Sequence, residues 1–175
     1  MLVPRQAVPE LSIPTLKQAT WTLHQQQAEN FILLAFYRGL HCPLCQKYIT
    51  DLNRRLSDIQ QRGVTVLALS SDTEERAQEA RTNWGLSEEL EIGYGLSIEK
   101  AREWGLFISK SRGKTSLGIE EPPIFSEPAL FLLRPDFSLY ASSVQTMPFA
   151  RPLFAELVGA LDFILANDYP ARGEA

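Results

Sequence analysis

The spacing of apolar residues changes along the chain, and these changes predict an alternation of strands and helices. Near-continuous apolar runs at 31–37, 64–69 and 129–133 favour strands that are buried on both faces. After the first run, apolar residues recur at intervals of three and four, which is typical of an amphipathic helix. The residues of this apolar face are Cys45, Tyr48, Ile49, Leu52, Leu56 and Ile59. Pro43 fits the first turn of that helix and Gly63 its C-terminal exit.

Shorter segments complete the predicted architecture. Ser71 and Glu74 have the spacing of a capping box, which predicts a helix that ends near Gly85. The other predicted elements are strands at 21–23, 90–94 and 139–144 and helices at 98–104 and 150–166. The polar segment 106–127 is predicted to be a long loop that either covers the functional site or contains an element of its own. This order predicts one α/β domain over residues 1–175, with a central mixed β-sheet flanked by helices on both faces.

The charge and the N-terminal sequence narrow the range of functions. The 175-residue chain carries a formal net charge of −4 and its basic residues are scattered, so we expect neither nucleic acid nor a membrane as a partner. No stretch reaches the roughly 18 apolar residues that a membrane-spanning helix requires. The first residues contain Pro4, Pro9 and Pro14 and lack the apolar run of a secretory signal, so the cytoplasm is the expected location.

The two cysteines of the chain, Cys42 and Cys45, lie three positions apart at the predicted junction between the 31–37 strand and the helix. A helix N-terminus carries unsatisfied N–H groups and a partial positive charge, which stabilise a thiolate at Cys42. Cys45, one turn further along the same face, is placed to attack a mixed disulfide formed at Cys42. We therefore predict that Cys42 is the more exposed and more acidic nucleophile and that Cys45 is the resolving thiol. The pair is expected to form a reversible disulfide.

Two other interpretations of the cysteine pair are weaker. Two cysteines cannot complete a tetrahedral zinc site, and the only histidines are His24 and His41, so we expect no metal. No Gly-rich phosphate loop stands out, so we expect no organic cofactor either. The pair could instead be two buried small hydrophobic residues, because free cysteine is often buried. Cys45 would suit that role. Cys42 would not, because a strand–helix junction is usually accessible to solvent.

The stretch 35–45, AFYRGLHCPLC, resembles the active-site segment of the peroxiredoxin-like (AhpC/TSA, redoxin) branch of the thioredoxin superfamily. Other segments are similar to this family in the same order. They are 9–13 (its opening hairpin), 64–70 (the strand after the active-site helix), 128–136 (a late strand and turn) and 147–151 (the segment before its last helix). The resemblance covers residues 8–166 and implies a thioredoxin-like fold.

One departure from this family bears on the activity. Peroxiredoxins carry their reactive cysteine in a P-x-x-x-T/S-x-x-C loop, whereas here Gly39 stands three positions and Ala35 seven positions before Cys42. The proline and hydroxyl that shape the peroxide pocket are then absent, and the site resembles that of a thioredoxin. In thioredoxins a cis-proline faces the cysteine pair. The resemblance makes Pro128 its candidate, and we predict a cis peptide at Glu127–Pro128 beside Cys42.

Four charged side chains are further candidates for the site. Arg38 either stabilises a thiolate or binds an acidic group of the substrate, or it is a solvated surface residue. His41 lowers the thiolate pKa as an imidazolium, accepts the Cys45 proton as a base, or points away into solvent. Arg151 matches an arginine before the last helix of the family, or it caps that helix. Glu127 is a candidate acid near the site.

Three functions are compatible with these residues. The leading hypothesis is a thiol–disulfide oxidoreductase in redox homeostasis or antioxidant defence, with Cys42 attacking and Cys45 resolving. The alternative is a thiol-dependent peroxidase, in which hydrogen peroxide or an alkyl hydroperoxide oxidises Cys42 to a sulfenic acid. The second alternative is a non-catalytic redox-sensing module. The expected partners are a protein disulfide, a peroxide or a small thiol as substrate and a thioredoxin- or glutathione-type reductant, with a homodimer left open.

Overall fold

The computed structural model describes residues 2–175, in which strands and helices alternate. In chain order, the elements are β1 (Ser12–Ile13), β2 (Trp21–Thr22), β3 (Phe31–Phe36), α1 (Pro43–Arg54), α2 (Leu56–Gln60), β4 (Val64–Leu69), α3 (Glu74–Trp84), β5 (Glu91–Gly93), α4 (Ile98–Glu103), β6 (Ile108–Lys110), β7 (Ile124–Ser126), β8 (Ala129–Leu133), β9 (Leu139–Val144) and α5 (Phe154–Asn167). A short 3₁₀ helix, Leu23–Gln25, follows β2. Within residues 2–175, no helix has the length and apolar character needed to cross a bilayer.

A five-stranded mixed sheet forms the centre of the fold, in the order β5-β4-β3-β8-β9. Strand β3 lies in the middle, where it pairs in parallel with β4 and antiparallel with β8. Its six residues are all buried and alternate between two apolar clusters. One cluster contains α1 and α3, and the other contains α4 and the N-terminal segment. The predicted central mixed sheet with helices on both faces is therefore confirmed.

The parallel pairing of β3 and β4 determines where the functional site lies. Because the two strands run in the same direction, their carboxyl ends lie at the same edge of the sheet. The chain passes from β3 into α1 through residues 37–42, and from β4 into α3 through residues 70–73. These two loops therefore meet at one edge, with Cys42 at the end of the first loop and Cys45 in the first turn of α1.

Two helices differ in detail from the prediction. The helix after Cys42 is interrupted at Arg55, whose φ of −100° and ψ of 5° are not helical, so α1 and α2 are separate. The short α2 packs against β4 and leads the chain back into the sheet. Helix α3 is capped by Thr73, which accepts a hydrogen bond from the backbone N–H of Arg76, and not by Ser71. It ends at Gly85, as predicted, with a φ of 63°.

The predicted loop 106–127 contains a small antiparallel hairpin, formed by β6 and β7. Each strand has only three residues and is partly exposed, so neither produces a clear apolar pattern in the sequence. The last helix, α5, begins at Phe154, four residues later than predicted. Ala150 instead lies in a bend with a φ of 61°, and the irregular residues 151–153 follow it, with Arg151 reaching the sulfur of Cys45.

Candidate active site

The cysteine pair lies where the chain turns from β3 into α1. Cys42 is the N-cap residue: its backbone is extended, with φ −96° and ψ 109°, and its sulfur accepts a 3.3 Å hydrogen bond from the backbone N–H of Cys45. Pro43 occupies the first turn, as predicted, where a missing N–H costs nothing. The two cysteines are reduced, they approach to within 3.0 Å, and their thiols are hydrogen-bonded. A disulfide between them would require little movement of the backbone.

Both cysteine side chains are buried, which differs from the expectation that Cys42 is open to solvent. Cys42 is 1% exposed and Cys45 is 0% exposed. The expectation is wrong because the loop after β3 folds inward, so that Leu40 and His41 are buried as well. A reactant reaches the pair only if neighbouring side chains move, and a small reactant requires less movement than a large one.

The two thiols differ in acidity although they are neighbours. The pKa of Cys42 is lowered from 9.0 to about 6, chiefly by the hydrogen bond from the Cys45 thiol. The backbone N–H of Cys45 and the charges of Arg151 and Arg38 lower this pKa further, while burial opposes them. Burial and the hydrogen bond to Cys42 raise the pKa of Cys45 well above 9.0. Near neutral pH the pair is therefore a Cys42 thiolate that accepts a hydrogen bond from the Cys45 thiol.

Arg151 reaches the pair from the segment before α5. Its Nη2 donates a 3.2 Å hydrogen bond to the sulfur of Cys45, and its Nε donates a 2.7 Å bond to the carbonyl of Pro148. The guanidinium carbon lies 4.6 Å from the ring centre of Tyr48, whose hydroxyl donates to the carbonyl of Pro152 at 2.9 Å. The structure thus places Arg151 beside the thiols, on the Cys45 side of the pair.

Arg38 takes part in the site through both its backbone and its side chain. Its backbone N–H donates a 3.4 Å hydrogen bond to the sulfur of Cys45. Its side chain turns toward the β6–β7 hairpin, 3.4 Å from a carboxylate oxygen of Glu121 and 3.6 Å from one of Glu127. The guanidinium carbon also lies 4.7 Å from the ring centre of Phe125. The contact with sulfur is therefore made by the backbone, while the two carboxylates engage the guanidinium.

The β6–β7 hairpin covers one side of the active-site loop, so segment 106–127 both covers the site and contains an element of its own. Glu127 is buried, and its Oε1 accepts a 2.5 Å hydrogen bond from the hydroxyl of Ser109. Glu121 is also buried and accepts a 2.7 Å bond from the backbone N–H of Arg112. Glu127, the candidate acid, thus lies near the site but serves as a counter-ion of Arg38.

His41 is a buried, neutral residue. Its ring centre lies 4.8 Å from that of Phe125, and its Nδ1 is 3.4 Å from a guanidinium nitrogen of Arg76. Burial lowers the pKa of His41 to about 3, with the charges of Arg38 and Arg76 acting in the same direction. The imidazolium and the solvent-exposed alternatives are therefore wrong. So weakly basic a ring is also a poor acceptor for the proton of Cys45.

Asp72 anchors the loop before Cys42, and the sequence analysis missed it. Its Oδ2 accepts a 2.7 Å hydrogen bond from the backbone N–H of Leu40, and its Oδ1 accepts a 2.9 Å bond from Nε of Arg76. Burial raises the pKa of Asp72, although the bond from Arg76 opposes this shift. A signal was present in the sequence, because Asp72 follows β4 closely and the carboxyl ends of adjacent parallel strands share one edge.

The Glu127–Pro128 peptide is trans, so the predicted cis bond is wrong; residues 2–175 contain no cis peptide. Pro128 stays in an extended connection between β7 and β8, where its carbonyl accepts a 2.9 Å hydrogen bond from the backbone N–H of Gln145. It lines a small crevice with Tyr48 and Arg151. Pro128 is therefore near the Arg151 side of the site, without the backbone turn expected of a thioredoxin.

A cleft of about 600 Å³ opens beside the first turns of α1. Leu44, Phe149 and Leu153 contribute exposed apolar surface to it. Lys47 and Arg151 contribute positive charge. The cleft therefore opens next to Leu44, one of the two residues that lie between the cysteines in the sequence.

Solved structures similar to this chain are peroxiredoxins. A mutant of the Peroxiredoxin 6 of Arenicola marina has a TM-score of 0.73 and 18% identity, over 95% of this chain and 76% of that chain. Peroxidoxin BcpB from Mycobacterium tuberculosis has a TM-score of 0.71 and 14% identity, over 95% of this chain and 99% of that chain. The reduced 2-Cys Peroxiredoxin of Plasmodium vivax has a TM-score of 0.75 and 14% identity, over 96% of this chain and 84% of that chain. These similarities confirm the thioredoxin-like fold.

Sequence comparison identifies the family. No curated protein sequence matches the chain significantly. The model of the AhpC/TSA family matches residues 4–141, which include the cysteine pair, Arg38 and Pro128. The match covers most of the chain and agrees with the resemblance that the sequence itself suggested. The chain therefore belongs to the AhpC/TSA family and is a thiol-dependent oxidoreductase.

Proposed function

We propose that the protein is a thiol-dependent peroxidase that reduces hydrogen peroxide or an alkyl hydroperoxide. The Cys42 thiolate attacks one peroxide oxygen, the O–O bond breaks, and the departing oxygen takes a proton to leave as water or an alcohol. Cys42 becomes a sulfenic acid while the peroxide is reduced. Cys45 then attacks the sulfenic sulfur, and a disulfide forms as the hydroxyl leaves with a proton as water. Each turnover thus reduces one peroxide and produces one disulfide.

The observation that carries this proposal is the burial of an acidic thiol. Cys42 is 1% exposed, yet hydrogen bonds from Cys45 lower its pKa to about 6, so it is a thiolate in a nearly closed site. A small peroxide reaches such a sulfur after minor side-chain movement. A disulfide carried by another protein would require both partners to expose their sulfurs to each other.

The disulfide-exchange hypothesis, which led the sequence analysis, has less support. It depended on an accessible Cys42 and on a cis-proline facing the pair, and the structure has neither. The redox-sensing hypothesis has no specific support, since both cysteines and the donors around them are intact. The structural relatives are named as peroxiredoxins, which also favours the peroxidase.

The cycle requires a reductant to reopen the disulfide. We propose a dithiol of the thioredoxin type or a glutathione-type thiol, and a reducing compartment such as the cytoplasm. We propose that the reductant docks at the surface around Leu44, which lies between the two cysteines in the sequence and is 36% exposed.

The proposal is tested by comparing oxidants. The reduced protein is mixed with hydrogen peroxide, tert-butyl hydroperoxide or insulin, whose disulfides serve as model protein disulfides. The reactions are quenched rapidly by alkylation, and mass spectrometry measures the fraction of the protein itself that carries the Cys42–Cys45 disulfide. We expect both peroxides to oxidise the pair about tenfold faster than the protein disulfide, or more. A faster reaction with the protein disulfide would instead support the disulfide-exchange hypothesis.

A further inference from the structure

We propose that Arg151 and the backbone N–H of Arg38 form a binding site for the Cys45 thiolate, which promotes the opening and closing of the disulfide. This inference rests on the proposed peroxidase cycle, in which Cys42 attacks the peroxide and Cys45 resolves it. It assigns to Arg151 a direct catalytic contact with the second sulfur, while its charge acts on Cys42 only from a distance.

The donors from outside α1 converge on one sulfur of the pair. Arg151 donates through Nη2 at 3.2 Å and Arg38 donates through its backbone N–H at 3.4 Å, and both bonds end on the sulfur of Cys45. The sulfur of Cys42 accepts its hydrogen bonds from the backbone and thiol of Cys45. Cys45 therefore has a cationic donor although it is the protonated member of the resting pair.

This arrangement suits a charged sulfur better than a neutral one. A thiol sulfur is a weak acceptor, so a guanidinium gains little from it. The same contact with a thiolate is a charge-assisted hydrogen bond, which is about twice as strong as a neutral one. None of the ion pairs found within residues 2–175 involves Arg151, and its buried Nη1 has no hydrogen-bond partner, so its charge is free to stabilise a thiolate.

Cys45 carries a negative charge when the disulfide opens. A thiolate of the reductant attacks the sulfur of Cys42, the bond between the two cysteines breaks, and its electron pair goes to the sulfur of Cys45. The products are a mixed disulfide at Cys42 and a Cys45 thiolate. A second thiol of the reductant then releases Cys42, and Cys45 takes up a proton. A leaving thiol departs faster when its thiolate is stabilised, so Arg151 accelerates the first step.

The site is organised before the charge appears. Cys45 and Tyr48 are three residues apart on α1 and share one face, so Arg151 can contact both. The guanidinium stacks on Tyr48, whose hydroxyl is tied to Pro152, and Nε of Arg151 is bonded to Pro148. The donors are thus fixed around the place where the charge develops, as electrostatic catalysis requires.

The decisive experiment measures opening of the disulfide separately from the reaction with peroxide. The Cys42–Cys45 disulfide is prepared with diamide, and its reduction by dithiothreitol is followed by stopped flow in the wild type, Arg151→Lys and Arg151→Gln. We expect reduction to slow about tenfold in both variants, since lysine keeps the charge but not the planar donor. Arg55→Lys is the control, because Arg55 lines the same cleft but pairs with Asp51 and does not contact the thiols. We expect its rate to match the wild type.

Sulfenic acid formation at Cys42 is measured in parallel in the Cys45→Ser background. We expect Arg151→Lys to change this rate much less than it changes disulfide reduction. Tyr48→Phe, which loses the bond to Pro152 but keeps the ring under Arg151, should slow reduction by less than Arg151→Gln. An unchanged reduction rate in both Arg151 variants, or a larger effect on the peroxide step, would overturn the inference. Because diamide supplies the disulfide, failure of the peroxidase proposal appears separately, as no reaction of the wild type with peroxide.

Discussion

A Cβ atom on Gly39 would lie 2.6 Å from a carboxylate oxygen of Asp72, so these two residues fit together only because Gly39 has no side chain. The φ of Gly39 is +133°, which other residues rarely adopt. The same carboxylate accepts the hydrogen bond of the Leu40 backbone N–H. The contact between the two loops therefore fixes the path of the chain into Cys42.

Gly39→Ala is expected to destabilise the reduced protein by about 2 kcal/mol or more, because it combines a strained backbone with displacement of Asp72. Urea unfolding of the reduced protein measures the loss. Gly85→Ala is the matched control: its φ is 63°, but nothing lies within 4 Å of the added atom, so about 1 kcal/mol is expected. Equal losses at Gly39 and Gly85 would show that the contact with Asp72 does not restrict the loop.

The acidity of Cys42 should depend on the hydrogen bond from Cys45. Only the thiolate reacts with iodoacetamide, so the rate is expected to rise with pH through about 6 and to level off above it. Cys45→Ala removes the largest cause of the low pKa and should move this midpoint to higher pH. Cys45→Ser keeps a hydroxyl donor, so its midpoint should lie between those of the wild type and Cys45→Ala. A wild-type midpoint near 9 would contradict this account.

His41 is not expected to affect that titration. Its pKa of about 3 leaves the ring neutral over the whole range in which Cys42 ionises. His41→Gln should therefore leave the midpoint of alkylation against pH where it is in the wild type. A rise in the midpoint would mean that the histidine carries a charge beside the thiolate after all.

The ion pairs of Arg38 should contribute to stability through burial. Its side chain is 16% exposed, and those of Glu121 and Glu127 are 8% and 4% exposed. Arg38→Met leaves two buried carboxylates without a cation, which should cost about 3 kcal/mol in urea unfolding. Arg62→Met removes the exposed pair with Asp162 and serves as the control. Its effect should be much smaller because solvent screens that pair, and equal effects would argue against a role for burial.

The parts of the fold that were predictable are those with dense local patterns. The buried strands β3, β4 and β8 appear as largely apolar runs, and the period of α1 is visible from Cys45 to Leu52. The hairpin of β6 and β7 was not predictable, because three-residue strands with partly exposed side chains leave no period to detect. The break at Arg55 was missed because the apolar spacing continues across it.

From residue spacing alone, the candidate site was predictable only where its residues are adjacent in the sequence. The cysteine spacing and Pro43 identified the helix start, and the family resemblance added Arg151. The low pKa of His41 depends first on its burial, where its ring lies against Phe125 of β7, and then on the charges of Arg38 and Arg76. Phe125 and Arg76 are far away from His41 in the chain. Such long-range contacts have no local signature, and they decide which side chains are buried and which are charged.

The central claim is that Cys42 is the sulfur that attacks the peroxide. The most direct test treats reduced Cys45→Ser and Cys42→Ser with hydrogen peroxide, traps sulfenic acid with dimedone and locates the adduct by mass spectrometry. We expect rapid trapping at Cys42 in Cys45→Ser and little reaction at Cys45 in Cys42→Ser, with a disulfide in the wild type. Faster trapping at Cys45, the sulfur that receives the bonds from Arg38 and Arg151, would contradict the account and reverse the roles of the two cysteines.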